Sequence, residues 1–455
     1  MEQNISERKR PMKDRSDHNR RSALSPAAAL LGSVRAEFIF SGESLRLTGQ
    51  GLLFGLLTGA VVGLCGGAFA RLLDLCTLLR EGTVWAVLLL PLAGLPVVWM
   101  YRRGGIKTAG GTDLIIQAAR GEQPVSRVLA PVIFAATLLT HAFGGSAGRE
   151  GAALQLGGSL AELVRKLVRI GDEFEDLAIM CGMSAGFSAV CGNQISAVIF
   201  ALEISCVGVL PLGALFPCVV SSIVARMTAG ALRAEGVSFT LSVNQSTPLF
   251  YGKVMVLGVV CGLLSIVVCY TLSGTQTVLE GRLPNPYLRI VLGGVAVTAL
   301  TLALGTKVYL GTGQNLIALA IRETTAAPWD FALKLLFTAL TIGAGFKGGE
   351  IVPSFAIGAA FGCAVGPLLG LPASYAAAVG MIAVFCGVTN CPLTSMVLGF
   401  EVFSFCNPGG FLVAVAASFL ASGYSGLYAK QKFAFSKLAG PEGVTQEEDS
   451  VRHRQ

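Results

Sequence analysis

From about residue 50 to residue 428 the chain is a series of apolar runs separated by short polar breaks that carry glycine or proline. The runs predict helical segments near 50–75, 84–101, 129–143, 151–169, 176–203, 208–232, 252–273, 287–305, 331–346, 352–370, 374–387, 392–406 and 410–428. None shows the every-second-residue alternation of a membrane-barrel strand. Crossing a bilayer core of about 30 Å takes about 20 helical residues. Several runs are shorter than that. Short apolar pieces broken by Gly and Pro are the mark of interrupted or re-entrant helices. The pattern predicts an all-α polytopic membrane protein.

The pattern also repeats. "GTDLIIQAAR" (111–120) matches "GQNLIALAIR" (313–322), "THAFGGSAG" (140–148) matches "TIGAGFKGG" (341–349), and "NQISAVIFALE" (193–203) matches "CPLTSMVLGFE" (391–401). The three matches fall in the same order at nearly one spacing. The chain therefore reads as two homologous membrane repeats, 46–245 and 246–428, between a basic N-terminal tail (1–45) and a short charged C-terminal tail (429–455). Repeats with an odd number of crossings must be inverted, and such pairs place a site between them near mid-membrane.

Composition agrees. Of 455 residues, 53% are hydrophobic and 13% charged, against about a quarter charged in soluble domains. The 57 glycines suit close helix packing. The net charge of +7 is concentrated: residues 1–22 hold seven Lys/Arg and almost nothing apolar. That tail reads as solvated; nothing else supports nucleic-acid binding, and no apolar stretch makes it a signal peptide. Positive-inside bias puts both tails in the cytoplasm, with Arg102, Arg103 and Lys107 on the same side if two spans precede them. Most of the twelve cysteines sit in apolar runs, among them Cys65, Cys181, Cys191, Cys206, Cys261, Cys269 and Cys386. They read as small buried hydrophobes rather than disulfides or metal ligands.

The candidate chemistry lies in the glycine-rich breaks. In "SAGREGAALQLGG", Gly148 and Gly151 bracket Arg149 and Glu150 just ahead of an apolar helix. A helix start leaves about four N–H groups unpartnered and carries partial positive charge, and glycine lets an anion come close to them. "GFKGGEIVP" (345–353) is the counterpart in the second repeat, with Pro353 suited to a first turn. Gly110–Leu114 offers a third such start. Three ends converging would make an anion site that Glu150 and a diffusible anion compete for. An intramembrane acid is seldom idle. Arg149 reads equally as a bridge to a loop carbonyl or acid. Glu203 and Glu401 read as caps or pairing groups near an interface. "GGSAG" fits a nucleophile-elbow pattern, but His141 is the one histidine outside the polar tails and reads as a packing residue. That leaves no catalytic pair for an enzyme, no His-rich metal site and no cofactor.

At these residues the chain resembles the CLC family of anion channels and proton-coupled anion antiporters. "GREGAALQLGG", "GGEIVPSFAIGAAFG", "TNCPLTSMVLGFE" and "GLYAK" are similar to four family motifs over about residues 50–430. The resemblance implies inverted repeats, a homodimer with a pore in each subunit, and transport of fluoride or chloride with protons across the cell membrane. "HAFGGSAGREG" and "GFKGGEIVP" look most like the fluoride/proton antiporter branch. The chloride-coordinating serine position falls on Gly111 and the inner proton glutamate on Ile204. Val352 stands where the fluoride branch has Thr, and Gln194 where the family has Pro. By matching positions, Glu150 is expected to be the gating and proton-carrying glutamate. Gly111, Thr112, Asp113, Arg149, Gly151, Ile351, Val352 and Tyr428 are expected to bind the anion, mostly through backbone N–H groups, with Tyr428 donating its hydroxyl. A chloride channel or chloride/proton exchanger on the same scaffold is the alternative.

Overall fold

The computed structural model describes residues 42–83, 85–106, 111–171, 174–234, 236–241, 243 and 247–437, with side chains in the first helix from residue 49 onward. Most of the basic tail, Lys107, Gly110 and residues 438–455 lie outside the described residues. The chain divides into two units, Met1–Gln50 and Gly51–Gln455, and the second holds most of the first helix and every later element.

Sixteen α-helices are present among the described residues, in two sets of eight. The first set is α1 (Gly42–Glu81), α2 (Leu90–Arg103), α3 (Gly111–Ala118), α4 (Leu129–Ala142), α5 (Glu150–Val168), α6 (Glu175–Cys191), α7 (Gln194–Glu203) and α8 (Leu215–Ala231). The second is α9 (Pro248–Arg282), α10 (Pro286–Leu304), α11 (Gln314–Ala318), α12 (Asp330–Ala344), α13 (Ile351–Val365), α14 (Ala373–Thr389), α15 (Pro392–Val402) and α16 (Pro408–Ala421). Each set opens with a long helix and continues in shorter ones. Five segments are long and apolar enough to cross a membrane; α4, α7, α14, α15 and α16 are shorter apolar helices. This is the inverted repeat of broken and re-entrant helices.

Local signals explain the boundaries. Thr247 accepts from Phe250 N ahead of Pro248, Asn285 from Tyr287 N ahead of Pro286, and Asn407 from Gly410 N ahead of Pro408. Each is a polar N-cap followed by proline at the first helical position, where a missing N–H costs nothing. The run 176–203, expected as one helix, is two: Gly192 at φ 86° ends α6 and turns the chain into α7. The run 410–428 likewise stops at Ala421.

Packing between the helices depends on missing side chains. α5 crosses α6 so closely that a methyl group at Gly157 would run into the Gly182 carbonyl, and α13 crosses α14 with Gly362 against the Ala376 carbonyl. Small residues permit such approach where lipid supplies no hydrophobic drive. The repeats also cap one another. The Glu401 carboxylate accepts from Ile195 N and Ser196 N at 2.9 Å each, at the start of α7. Glu203 accepts from Leu393 N at 2.9 Å and Thr394 N at 2.8 Å, at the start of α15. Each short helix ends in the acid that caps the other, so both glutamates are spent on helix starts.

The segment after Tyr428 is held, not free. Strand β1 (Cys206–Val207) pairs in parallel with β2 (Lys432–Phe433). Lys437 Nζ donates to Asn390 Oδ1 at 2.6 Å and to the Phe419 carbonyl at 3.0 Å. The first residues of the expected C-terminal tail are thus a strap across the helical body.

Candidate functional site

Three helix starts meet at the centre. Gly148 N donates to Gly349 O at 2.6 Å and Gly349 N to Gly148 O at 2.8 Å, an antiparallel bridge joining the two repeats. A side chain at Gly349 would stand 2.6 Å from Gly151 N, so the close approach requires glycine. The Cβ position of Gly151 lies 3.0 Å from both Thr112 Oγ1 and Gly349 Cα. The starts of α3, α5 and α13 are therefore neighbours, and their first N–H groups lack intrahelical acceptors.

Glu150 is buried at the first position of α5. Its Oε2 accepts from Arg149 N at 3.0 Å. Its Oε1 faces the Cys191 thiol at 3.8 Å and Arg149 Nε at 3.6 Å. The Arg149 guanidinium also reaches Asp74 Oδ1 at 3.4 Å. Both sequence readings of Arg149 thus meet in one side chain, which bridges to an acid and lies beside the candidate gate. A buried carboxylate without such partners would be strongly destabilising.

Two cavities flank this centre and share no lining residue. The larger, about 480 Å³, is lined by Asp74, Arg149, Glu150, Arg322, Val352 and Phe355 among others. The smaller, about 120 Å³, is lined by Gly111, Thr112, Asp113, Gln155, Glu350 and Tyr428 among others. The residues expected around one mid-membrane spot are divided. Arg149, Glu150 and Val352 face the larger cavity, and Gly111, Thr112, Asp113 and Tyr428 the smaller. Gly151 and Ile351 are packed among the helix starts and line neither. The Gly148–Gly349 bridge holds the starts of α5 and α13 together, and neither of its glycines lines a cavity. The Tyr428 hydroxyl is buried and has no hydrogen-bond partner among the described residues.

Other singled-out residues lie off this axis. His141 places Nδ1 at 2.9 Å from the Thr137 carbonyl and Nε2 at 2.9 Å from that of Ala147, as a packing residue does. Ser146 Oγ lies 3.0 Å from Thr338 Oγ1 and accepts from Lys334 Nζ at 2.9 Å. Lys334 also donates to Tyr309 O at 3.0 Å and Gly311 O at 2.8 Å. That ammonium ties α12 to the loop ahead of Glu150. Sequence reasoning missed Glu350, Cys191 and Lys347, whose Nζ stands 4.6 Å over the Tyr101 ring. For Glu350 a signal existed: it occupies, in "KGGEIVP", the repeat position of Arg149.

Two inverted sets of broken helices, whose central junctions present one carboxylate to each of two cavities, define an integral membrane ion transporter. The chain belongs to the voltage-gated chloride channel family, or CLC family, whose profile, described as "Voltage gated chloride channel", matches residues 93–426. A chloride/fluoride channel protein of Pseudomonas syringae pv. tomato is 34% identical over 399 residues, covering 85% of this chain and 87% of its own. The H(+)/Cl(-) exchange transporter ClcA of Citrobacter koseri is 28% identical, covering 77% and 80%. The crystal structure of a CLC-type fluoride/proton antiporter superposes with a TM-score of 0.80 at 32% identity, covering 84% of this chain and 97% of that one. A slow cyanobacterial Cl-/H+ antiporter shares the fold with a TM-score of 0.73 at 19% identity.

Proposed function

We propose that the protein is a fluoride/proton antiporter in which Glu150 is both gate and proton carrier. The observation that carries this reading is a buried carboxylate, Glu150, lining one of two cavities that share no lining residue, at a helix start whose neighbour's N–H it accepts from. Its carboxylate accepts from Arg149 N. Ionised, it holds an N–H group that an anion could use. Protonated, it loses its hold on that donor and frees it. Alternation between the two states moves an anion one way and a proton the other.

Fluoride is small and strongly hydrated, so it needs short, strong donors to offset lost water. The N–H groups of Gly111–Asp113, Arg149–Gly151 and Ile351–Val352 are the donors, with the unpartnered Tyr428 hydroxyl. Glu350, on the far side of the glycine bridge, receives the proton that Glu150 releases. The similarity to a chloride/fluoride channel protein and to a fluoride/proton antiporter supports fluoride as the ion.

Arg102 stacks over Tyr287 at the start of α10, and Arg120 and Lys432 share Glu122. By positive-inside bias the basic end that carries Arg102 and Arg103 is cytoplasmic. Both tails then lie in the cytoplasm of a cell whose surface membrane holds the protein as a homodimer. Fluoride leaves as protons enter.

Purified protein in liposomes with a fluoride gradient is expected to drive protons against their own gradient, and far less so with chloride. Fluoride efflux without proton movement would remove the antiporter reading; equal chloride-driven pumping would favour the chloride exchanger.

A further inference from the structure

The proton's last step needs a group of its own. Glu350 sits at the N-cap position of α13, with no side-chain hydrogen bond to the helix start, and lines the smaller cavity, so a proton it releases must still reach bulk water. Among the described residues, the acids lining that cavity are Asp113, Glu280 and Glu350. Glu203, the buried acid at the end of α7, is fully used: besides Leu393 N and Thr394 N it accepts from Thr394 Oγ1 at 2.6 Å. Glu280 is paired with Arg289 NH2 at 3.5 Å and accepts from Gln276 Nε2 at 3.3 Å. Asp113 is half-buried in the cavity lining, and one carboxylate oxygen accepts from Lys430 N at 3.2 Å.

We propose that Asp113 is the exit station of the proton path: its carboxylate receives the proton that Glu350 gives up to the cavity and passes it on to bulk water. This rests on the antiporter reading above. The transfer is balanced. The O–H bond of Glu350 breaks, cavity water carries the proton, an O–H bond forms on Asp113, and the proton then passes to bulk water. A cavity of about 120 Å³ has room for several waters at roughly 30 Å³ each. The Tyr428 hydroxyl, buried in the same cavity wall without a partner, is a second group able to relay. The charged groups facing the cavity are Asp113, Glu280, Glu350, Arg289 and Lys347.

An ionised carboxylate lining an anion route repels the anion, while a protonated one donates to it. A proton held on Asp113 when fluoride enters therefore assists the ion that travels the other way. The competing role is structural. Asp113 is bonded to Lys430 N, two residues beyond Tyr428, and could serve only to pin the strap.

Asp113→Asn separates the two, because its amide oxygen still accepts from Lys430 N but cannot carry the proton. In liposomes loaded with fluoride, the ratio of protons moved to fluoride moved is expected to fall at least tenfold in this variant, the ratio being read so that a change in fluoride flux itself cancels. Asp113→Glu is expected to restore coupling. Asp113→Ser, whose hydroxyl also accepts from an amide, gives the same readout should the Asn variant not assemble. Wild-type coupling in Asp113→Asn, or its loss in Glu280→Gln alone, overturns the inference. Failure of the antiporter reading itself would look different: the unaltered protein would move fluoride without protons.

Discussion

The two loop–helix junctions at the centre, "SAGREG" and "KGGEIV", occupy equivalent places in the two repeats and yet differ by one position in where the acid falls. Gly148 and Gly349 are true mates, each donating to the other. Counting on from them, Arg149 matches Glu350, and Glu150 matches Ile351. The first repeat therefore has its acid as the first residue of a helix, facing the larger cavity. The second has its acid at the N-cap, facing the smaller one. The duplicated scaffold supplies two helix starts with free N–H groups, and a one-residue offset gives each side of the bridge its own carboxylate. A perfectly symmetric pair would have put both acids in equivalent settings and left no direction for a proton to follow.

Removing the bridge is expected to have the largest effect. In Gly349→Ala the new methyl group meets Gly151 N at 2.6 Å and Gly151 Cα at 3.1 Å, both backbone atoms that cannot swing away. Overpacking of this kind costs about 1–3 kcal/mol, occasionally more. The variant should melt several degrees lower in detergent and lose transport, as read by thermal unfolding and flux together. Next, Glu350→Gln leaves the bridge intact but removes the second carboxylate. Proton flux is expected to drop at least tenfold while the protein assembles normally.

Tyr428→Phe tests the smaller cavity from the anion's side. Deleting one donor to a charged partner costs about 1.5–3 kcal/mol, so fluoride affinity measured by calorimetry should weaken roughly ten- to a hundredfold. The smallest effect concerns the strap. Glu122 accepts from Arg120 Nε at 2.9 Å and pairs with Lys432 Nζ at 2.7 Å. These two cations hold its carboxyl down from 4.5 to about 2. Its folded value being depressed, the clasp's contribution to stability is complete above about pH 4.5 and lost as pH falls toward 2. Glu122→Gln should therefore shift the melting temperature slightly at neutral pH and not at all at the acid end.

Much of this was legible in the sequence because it follows from local chemistry. Apolar runs too short to span, glycine-flanked helix starts and an internal match at one spacing led to inverted broken helices and to Glu150. Tertiary facts were not legible. The reciprocal caps of Glu203 and Glu401 could be read as caps, but not as caps on each other's repeat. Gly192 is followed by only two polar residues, Asn193 and Gln194, and its positive φ makes it the break between α6 and α7. Glu350 stands one position before the place that matches Glu150, so a search for a second acid at the equivalent position meets Ile351 instead. Nor was the backbone bridge between glycines 201 residues apart legible, since no side-chain pattern records it, nor the division of the expected site between two cavities.

The most direct test of the central claim is a paired flux measurement on Glu150→Gln in liposomes, recording fluoride with an ion-selective electrode and protons with a pH electrode. Without an ionisable group at the larger cavity, fluoride is expected to run down its gradient with no accompanying proton movement, or to stop altogether. Protons exchanging for fluoride in the ratio of the unaltered protein would contradict it.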